Sequence, residues 1–306
     1  MTAEVRRLAL LGSGGLLGPA LVAHFEGAGW RVDAPGREEV DAGREDAVLD
    51  WLARISPDAL IIAAAETGGV ADNLARPADL FGSNLAIAAS ALSAARKAAV
   101  PRVLYCGSST AYGDNAPTPL REEWLGLWPA ESSHPGYGTA KLAGALYARA
   151  IRQQDGQDVC AVLLGNLYGP DARRRGARAN VIPALIDRML EAVASGARQV
   201  EIWGSGRPRR SFLHVADAAL AFERLLAGPT PDDGAINLGS VREVTIAELA
   251  GLIASATGFA GELIFDASRP EGRDARSLDV SRLGALGFAE RISLEEGLRG
   301  CVAARD

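Results

Sequence analysis

Cysteine, histidine and methionine are scarce in this 306-residue chain, which holds three Cys, three His and two Met. Cys106, Cys160 and Cys301 are odd in number and widely spaced, which excludes a disulfide framework. With only His24, His134 and His214 beside them there is no metal-ligand spacing either, so no metal is expected. Long apolar runs are missing too: nothing approaches the roughly 18 residues free of Gly, Pro and charge that a membrane span needs. Positive charge is in deficit, with a net charge of −6, which argues against a partner with a nucleic-acid backbone but leaves room for local basic pockets. The first residues, Met1-Thr2-Ala3-Glu4-Val5-Arg6-Arg7, lead into a strand and not into a signal-peptide core, so a cytoplasmic location is expected. Repeats and low-complexity tracts are absent.

What remains is an ordinary globular composition, 48% hydrophobic and 23% charged, on a chain long enough for a large core. Apolar runs at 8–11, 59–63, 102–106 and 159–164 read as buried strands, separated by helix-length segments at 16–28, 45–55, 82–98 and 138–154. Continuous apolar strands alternating with helices predict an α/β fold, a doubly wound parallel sheet of Rossmann type. After about residue 167 Gly and Pro break the rhythm, as at Gly169-Pro170 and Gly228-Pro229. Residues 1–166 are therefore read as the main lobe and 167–306 as a smaller mixed α/β lobe with helices near 181–195 and 245–257. The segment at about 211–240 is allowed to return to the first sheet.

Gly12-Ser13-Gly14-Gly15-Leu16-Leu17-Gly18 follows the first strand and opens a helix, giving G-x-x-G-x-x-G. Such a loop brings backbone N–H groups and a helix N-terminus to a pyrophosphate. A purely structural glycine turn is the plainer alternative, weakened by the strand–loop–helix context. Past the second strand, at 31–33, Asp33 and Arg37 pull in opposite directions. A carboxylate suits the ribose hydroxyls of NAD, an arginine the extra phosphate of NADP. Arg37 lies beyond the strand end, which favours NADP(H), but a merely solvated Arg37 is as good a reading, so NAD(H) stays open.

Tyr137-Gly138-Thr139-Ala140-Lys141 forms Y-x-x-x-K, which puts both side chains on one helical face. There the ammonium lowers the phenol pKa, so the tyrosine exchanges a proton with a carbonyl or hydroxyl near neutral pH. Gly107-Ser108-Ser109-Thr110 sets hydroxyls at the end of the fourth strand, where ligands collect in such sheets. Each piece alone is common; their order behind a glycine loop points to a nucleotide-dependent oxidoreductase or epimerase.

With these motifs the chain resembles the extended short-chain dehydrogenases/reductases, and among them the GDP-L-fucose synthase family. The likeness also runs through Ala63-Ala64-Ala65-Glu66-Thr67-Gly68-Gly69, Asn166-Leu167-Tyr168-Gly169-Pro170, Val181-Ile182-Pro183-Ala184-Leu185, Trp203-Gly204-Ser205-Gly206 and Phe212-Leu213-His214-Val215-Ala216-Asp217. Ile236-Asn237-Leu238-Gly239 and Phe265-Asp266-Ala267-Ser268-Arg269-Pro270 extend it. That family epimerises C3 and C5 of GDP-4-keto-6-deoxy-D-mannose and reduces C4 with NADPH. The resemblance implies Ser108, Tyr137 and Lys141 as the reductive triad. It implies NADP(H) along Gly12, Ser13, Gly14, Gly15, Leu16, Leu17, Gly18, Arg37, Ala63, Ala64, Ala65, Cys106, Gly107, Lys141, Leu164, Asn166, Leu167 and Asn180. It implies a nucleotide-diphosphate sugar, GDP-linked, against Ser109, Thr110, Asn166, Val181, Arg188, Trp203, Arg210 and Arg276. Core packing is the alternative for Trp203. The arginines of the run from Asp171 to Arg178 either recruit an anionic substrate or are simply solvated. A homodimer is implied as well, through Ala-rich helices near 84–99 and 138–154, although alanines there also suit packing on the sheet.

Two positions break the family pattern. The epimerase cysteine, two residues after the catalytic serine, is Thr110 here, and the histidine before Val181-Ile182-Pro183 is Asn180. Neither a hydroxyl nor a carboxamide shuttles protons near neutral pH. Cys106 and His214 sit in segments that read as structural. Dehydratases of the superfamily carry an Asp-Glu pair where this chain has Ala111-Tyr112. The expectation is an NADPH-dependent 4-ketoreductase of a nucleotide-diphosphate 4-keto sugar without 3,5-epimerase activity. Its rivals are a bifunctional fucose synthase using other residues, an NAD-dependent sugar 4-epimerase and, more remotely, a non-catalytic NADP-binding sensor.

Overall fold

The structure is a computed structural model that describes residues 5–170, 180–268 and 275–305. The first lobe runs β1 (Arg7–Leu11), α1 (Gly18–Gly27), β2 (Arg31–Asp33), α2 (Glu45–Ile55), β3 (Ala59–Ile62), α3 (Val70–Ala75), α4 (Pro77–Lys97), β4 (Arg102–Ser108), α5 (Pro135–Asp155) and β5 (Asp158–Leu164). Beyond it come β6 (Asn166–Tyr168), α6 (Val181–Ser195), β7 (Gln199–Trp203), β8 (Arg209–His214), α7 (Val215–Ala227), β9 (Ala235–Leu238), β10 (Glu243–Thr245), α8 (Ile246–Thr257), β11 (Glu262–Asp266), β12 (Ala275–Arg276), α9 (Ser281–Ala285) and α10 (Leu294–Ala303).

Six strands form one sheet in the order β2-β1-β3-β4-β5-β9, parallel throughout. Alternate residues of β1 face opposite sides, as strand geometry requires. Ala9 and Leu11 join the core under α2, α4 and α5, with Trp51, Leu52 and Tyr105. Leu8 and Leu10 join the one under α1 and α7, with Leu21, Phe25 and Phe222. Helix α2 shows why the sequence pattern was readable: Val48, Trp51, Leu52 and Ile55 recur at helical spacing and are all buried. Because β1 lies between β2 and β3, the crossovers leave it in opposite directions, which makes the carboxyl ends of β1 and β3 the switch point where such sheets bind ligands.

The smaller lobe has its own core, including Ile186, Met189, Leu249, Ile253 and Leu298. Its sheet is β10-β8-β12 with β6 also pairing β8, and β7 pairs separately with β11. The segment at 211–240 divides between the two lobes. Strand β9, buried on both faces, extends the first sheet beside β5, and α7 covers that sheet with α1. Strand β8 stays in the second sheet between β10 and β12. Among the described residues no helix is long and apolar enough to cross a membrane, and no group of acidic, His or Cys side chains is arranged to hold a metal ion. The three cysteines are buried and unpaired.

Candidate active site

The carboxyl end of β1 turns sharply at Gly12, whose φ of +101° suits glycine. A Cβ there would lie 2.4 Å from the Ala64 nitrogen, and one on Gly18 would lie 2.4 Å from the Ser13 carbonyl oxygen. These two glycines are fixed by the protein's own backbone. Gly14 has nothing within 4 Å, and Gly15 meets only the Gly12 carbonyl oxygen at ordinary contact distance, 3.6 Å. Space above the middle of the loop is thus left for something else. No side chain caps the N-terminus of α1, so its first amides remain available to an anion. The loop is anchored by Ser13 Oγ, which donates to the Pro35 carbonyl at 3.3 Å. Leu16, Leu167 and Asn180, remote in sequence, meet around one small cavity.

Asp33 and Arg37 have different surroundings in three dimensions. Asp33, the last residue of β2, pairs in register with Ala9, and Arg7 grips its carboxylate at both oxygens, 2.6 and 3.0 Å. The hydrogen-bonded Arg7 guanidinium holds the Asp33 carboxyl below its ordinary range. Arg37 is exposed on the following loop. No signal in the sequence marked Arg7, because its partner belongs to the neighbouring strand.

Ser108 ends β4 and is almost fully buried. Its Oγ accepts the Thr110 N–H at 3.2 Å and the Thr110 hydroxyl at 2.9 Å. Tyr137, half-buried, and Lys141, buried, lie on the first turns of α5. The Lys141 Nζ sits 5.8 Å from the Tyr137 ring centroid and 5.1 Å from that of Tyr105. One of its three N–H donors goes to the Cys106 carbonyl at 2.8 Å. Burial brings the lysine down to about 8. Cys106 takes part through that carbonyl, since burial pushes its thiol up to about 12. Gly107 is buried between Ser108 and Cys106, and Ala63, Ala64 and Ala65 leave β3 on the same side. Leu164 closes β5, and Asn166, just beyond it, donates its amide to the Ser211 carbonyl at 3.0 Å. Free donor capacity on a buried ammonium, an open loop over Gly14 and an uncapped helix N-terminus form a donor set that fits a dinucleotide.

The second lobe supplies a different kind of surface. The Trp203 indole, at the end of β7, is 56% exposed, which rules out core packing. The Arg188 guanidinium stands 6.0 Å from its centroid, and Arg188 also donates to the Glu201 carbonyl. Arg210 on β8 donates to the Arg209 carbonyl at 2.7 Å. Val181 begins α6, and Asn180 is its exposed N-terminal neighbour. Arg276, expected against the nucleotide-diphosphate sugar, lies between the two lobes. It forms a buried ion pair with Glu131 (2.6 Å) and donates to Ser109 Oγ at 3.0 Å. Its residual exposure is small because β12 lays it across the loop that follows β4. Glu131 was missed in the sequence, where an acid in a loop carries no spacing signal. His134 stands beside it (3.9 Å) with its ring 6.5 Å from that of Tyr137, and burial lowers it to about 4, so it is neutral near pH 7. His214 accepts the Ala216 N–H at the start of α7, a structural role. The arginine run from Asp171 to Arg178 lies outside the described residues.

Comparison with known proteins agrees with this architecture. The family model described as the NAD dependent epimerase/dehydratase family matches residues 8–239. GDP-L-fucose synthase from Escherichia coli (strain K12) is 37% identical over 302 residues, covering 96% of this chain and 94% of that protein. GDP-L-fucose synthase 1 from Arabidopsis thaliana is 36% identical over 299 residues, covering 97% and 92%. Among solved structures, a GDP-mannoheptose C4 reductase from Campylobacter jejuni with NADP bound superposes with a TM-score of 0.88 at 28% identity, covering 98% of each chain. With the glycine-rich turn, the Tyr137–Lys141 pair on α5 and the doubly wound sheet, the chain belongs to the NAD dependent epimerase/dehydratase family, the extended short-chain dehydrogenases/reductases.

Proposed function

We propose that this protein is an NADPH-dependent reductase that converts the C4 ketone of a GDP-linked sugar to an alcohol and leaves C3 and C5 untouched. The observation that carries the reading is the Ser108–Tyr137–Lys141 cluster beside a Thr110 whose hydroxyl is bonded to Ser108. The reductive machinery is whole, and the position of the family's epimerase acid holds a group that does not ionise near neutral pH. The names of the relatives support a GDP-sugar substrate, and the NADP-bound C4 reductase supports the cofactor and the reaction type.

NADPH, when bound, supplies a hydride to C4. The residues do the rest. Ser108 donates a hydrogen bond to the ketone oxygen, and Tyr137 delivers the proton that oxygen takes up as the ketone is reduced. The Lys141 ammonium favours loss of that proton electrostatically and holds the ribose hydroxyls with its remaining donors. The backbone from Gly12 to Gly18 cradles the pyrophosphate, flanked by Leu16, Leu17, Leu167 and Asn180, while Arg37 pairs with the 2′-phosphate. Ala63, Ala64, Ala65, Gly107, Leu164 and Asn166 line the cofactor path. Trp203 offers a flat face to base or sugar, and Arg188 and Arg210 meet the diphosphate. Val181, Ser109 and Thr110 border the sugar, and Arg276 holds that border in place through Ser109. Two copies associate through α4 and α5, where Phe81 and Leu146 leave apolar surface exposed.

The test is incubation with NADPH and GDP-4-keto-6-deoxy-D-mannose in D₂O, with the product read by NMR and mass. Reduction without deuterium at C3 or C5 is the expected outcome. Deuterium at both carbons would mean a fucose synthase that epimerises with other groups, the reading favoured by 37% identity along nearly the whole chain.

A further inference from the structure

We infer that Thr110 is a positioning residue for the reduction: it fills both lone pairs of Ser108 Oγ, so that the serine proton is directed only at the substrate ketone. This inference rests on the reductase reading and deepens it. A serine hydroxyl has one proton to give and two lone pairs to receive. Free in a site, it rotates among donor and acceptor arrangements and fixes a ketone only part of the time. Here the Thr110 N–H points to Ser108 Oγ at 3.2 Å, and the Thr110 hydroxyl reaches the same oxygen at 2.9 Å. The backbone amide is a donor in any protonation state. The hydroxyl of Thr110 supplies the second hydrogen bond, leaving the outward direction to the serine proton.

The surroundings hold this arrangement still. Ser108, Ser109 and Thr110 are all buried, which limits the rotamers the three side chains can take. The Thr110 carbonyl accepts the Glu131 N–H at 2.9 Å, which pins the short turn from outside. Ser109, between the two hydroxyls, is held by Arg276 from the second lobe. The same substitution that removes an ionisable group beside the sugar thus adds a fixed donor behind the reductive serine. Preorganised donors of this kind act where charge develops on the ketone oxygen, without reorganising during the reaction.

Kinetics on the full-length protein with NADPH and GDP-4-keto-6-deoxy-D-mannose test the idea. Thr110→Val, which keeps the shape and removes the hydroxyl, is expected to lower kcat by about 3- to 10-fold, the effect of one hydrogen bond, with the KM for NADPH unchanged. Thr110→Ser should recover kcat to within about twofold, and adding Thr110→Val to Ser108→Ala should produce no further loss. Full kcat in Thr110→Val, an equal loss in Thr110→Ser, or independent losses in the double variant would overturn the inference. Neutron diffraction from deuterated crystals decides the proton arrangement whatever the substrate. A Thr110 deuteron on Ser108 Oγ, with the serine deuteron facing the cleft, is the expected map; a serine deuteron on Thr110 Oγ1 refutes it. Failure of the wild-type protein to reduce any 4-keto sugar nucleotide would instead remove the reductase reading.

Discussion

Lys141 is a buried cation whose described hydrogen bond goes to a neutral carbonyl, with no carboxylate paired to it among the described residues. That environment favours the uncharged amine and sets its pKa at about 8 instead of 10.5. The proposed reduction needs the ammonium, so kcat/KM should fall as pH rises through about 8, visible in a pH–rate profile. Stability runs the other way: between about 8 and 10.5 the unfolded chain binds a proton that the folded chain has released, so stability rises with pH across that window. Replacing Lys141 with Met should cost at least about a hundredfold in kcat. His134, lowered to about 4, contributes stability that is complete above its ordinary value of 6.5 and is lost as pH falls toward 4. A His134→Asn variant should show a flatter acid limb in thermal melts. At the cofactor end, Arg37→Ala should raise the KM for NADPH by about 10-fold or more and leave that for NADH nearly unchanged. Asp33→Asn should not alter the cofactor preference, since Arg7 already occupies that carboxylate. The residues legible in the sequence were those with fixed spacing along one element, such as Tyr137 and Lys141. Arg7–Asp33 and Glu131–Arg276 were not legible, because each pair is made by tertiary contact alone.

At the level of elements, the stretches 45–55 and 181–195 match helices residue for residue. Both have an apolar stripe and end at a residue in the left-handed region, Ser56 or Gly196. Helices α4 and α5 begin earlier than the pattern suggested, at Pro77 and Pro135. Proline at a helix start needs no N–H partner and sets φ, so each opens its helix where a sequence reading takes it for a break. Strand β12, two residues long, has no pattern to detect, yet it delivers Arg276. Helix α8 carries a reciprocal cap: the Thr245 hydroxyl accepts the Glu248 N–H while the Glu248 carboxylate accepts the Thr245 N–H. Thr245→Ala should lower stability by about 1 kcal/mol in urea unfolding without moving the KM for NADPH, since α8 lies in the second lobe.

For the whole molecule, the question is how the lobe proposed to hold the sugar nucleotide stays in register with the proposed triad on another sheet. Several links cross between them, and three lie on the path to the serine turn. The Leu120 N–H donates to the Ser277 carbonyl, and the Asp279 N–H donates back to Leu120. Asn237, buried in β9, spans both strands of that link with its amide, bonded to the Leu120 and Asp279 carbonyls. Arg276 adds the third, reaching Glu131 and Ser109 beside the triad. A buried ion pair contributes little net stability as such, but removing one partner strands the other. Arg276→Met should therefore leave the Glu131 carboxylate buried against a neutral His134 and cost about 3 kcal/mol in urea unfolding. Removing both charges, as Arg276→Met with Glu131→Gln, should regain most of that stability. Kinetics should not recover with it: Ser109 still lacks its partner from the second lobe, so kcat with the sugar nucleotide stays low while NADPH binding is normal. Recovery of both together would mean the pair is only packing. Recovery of stability alone would make Arg276 the strut that ties substrate capture to the catalytic serine turn.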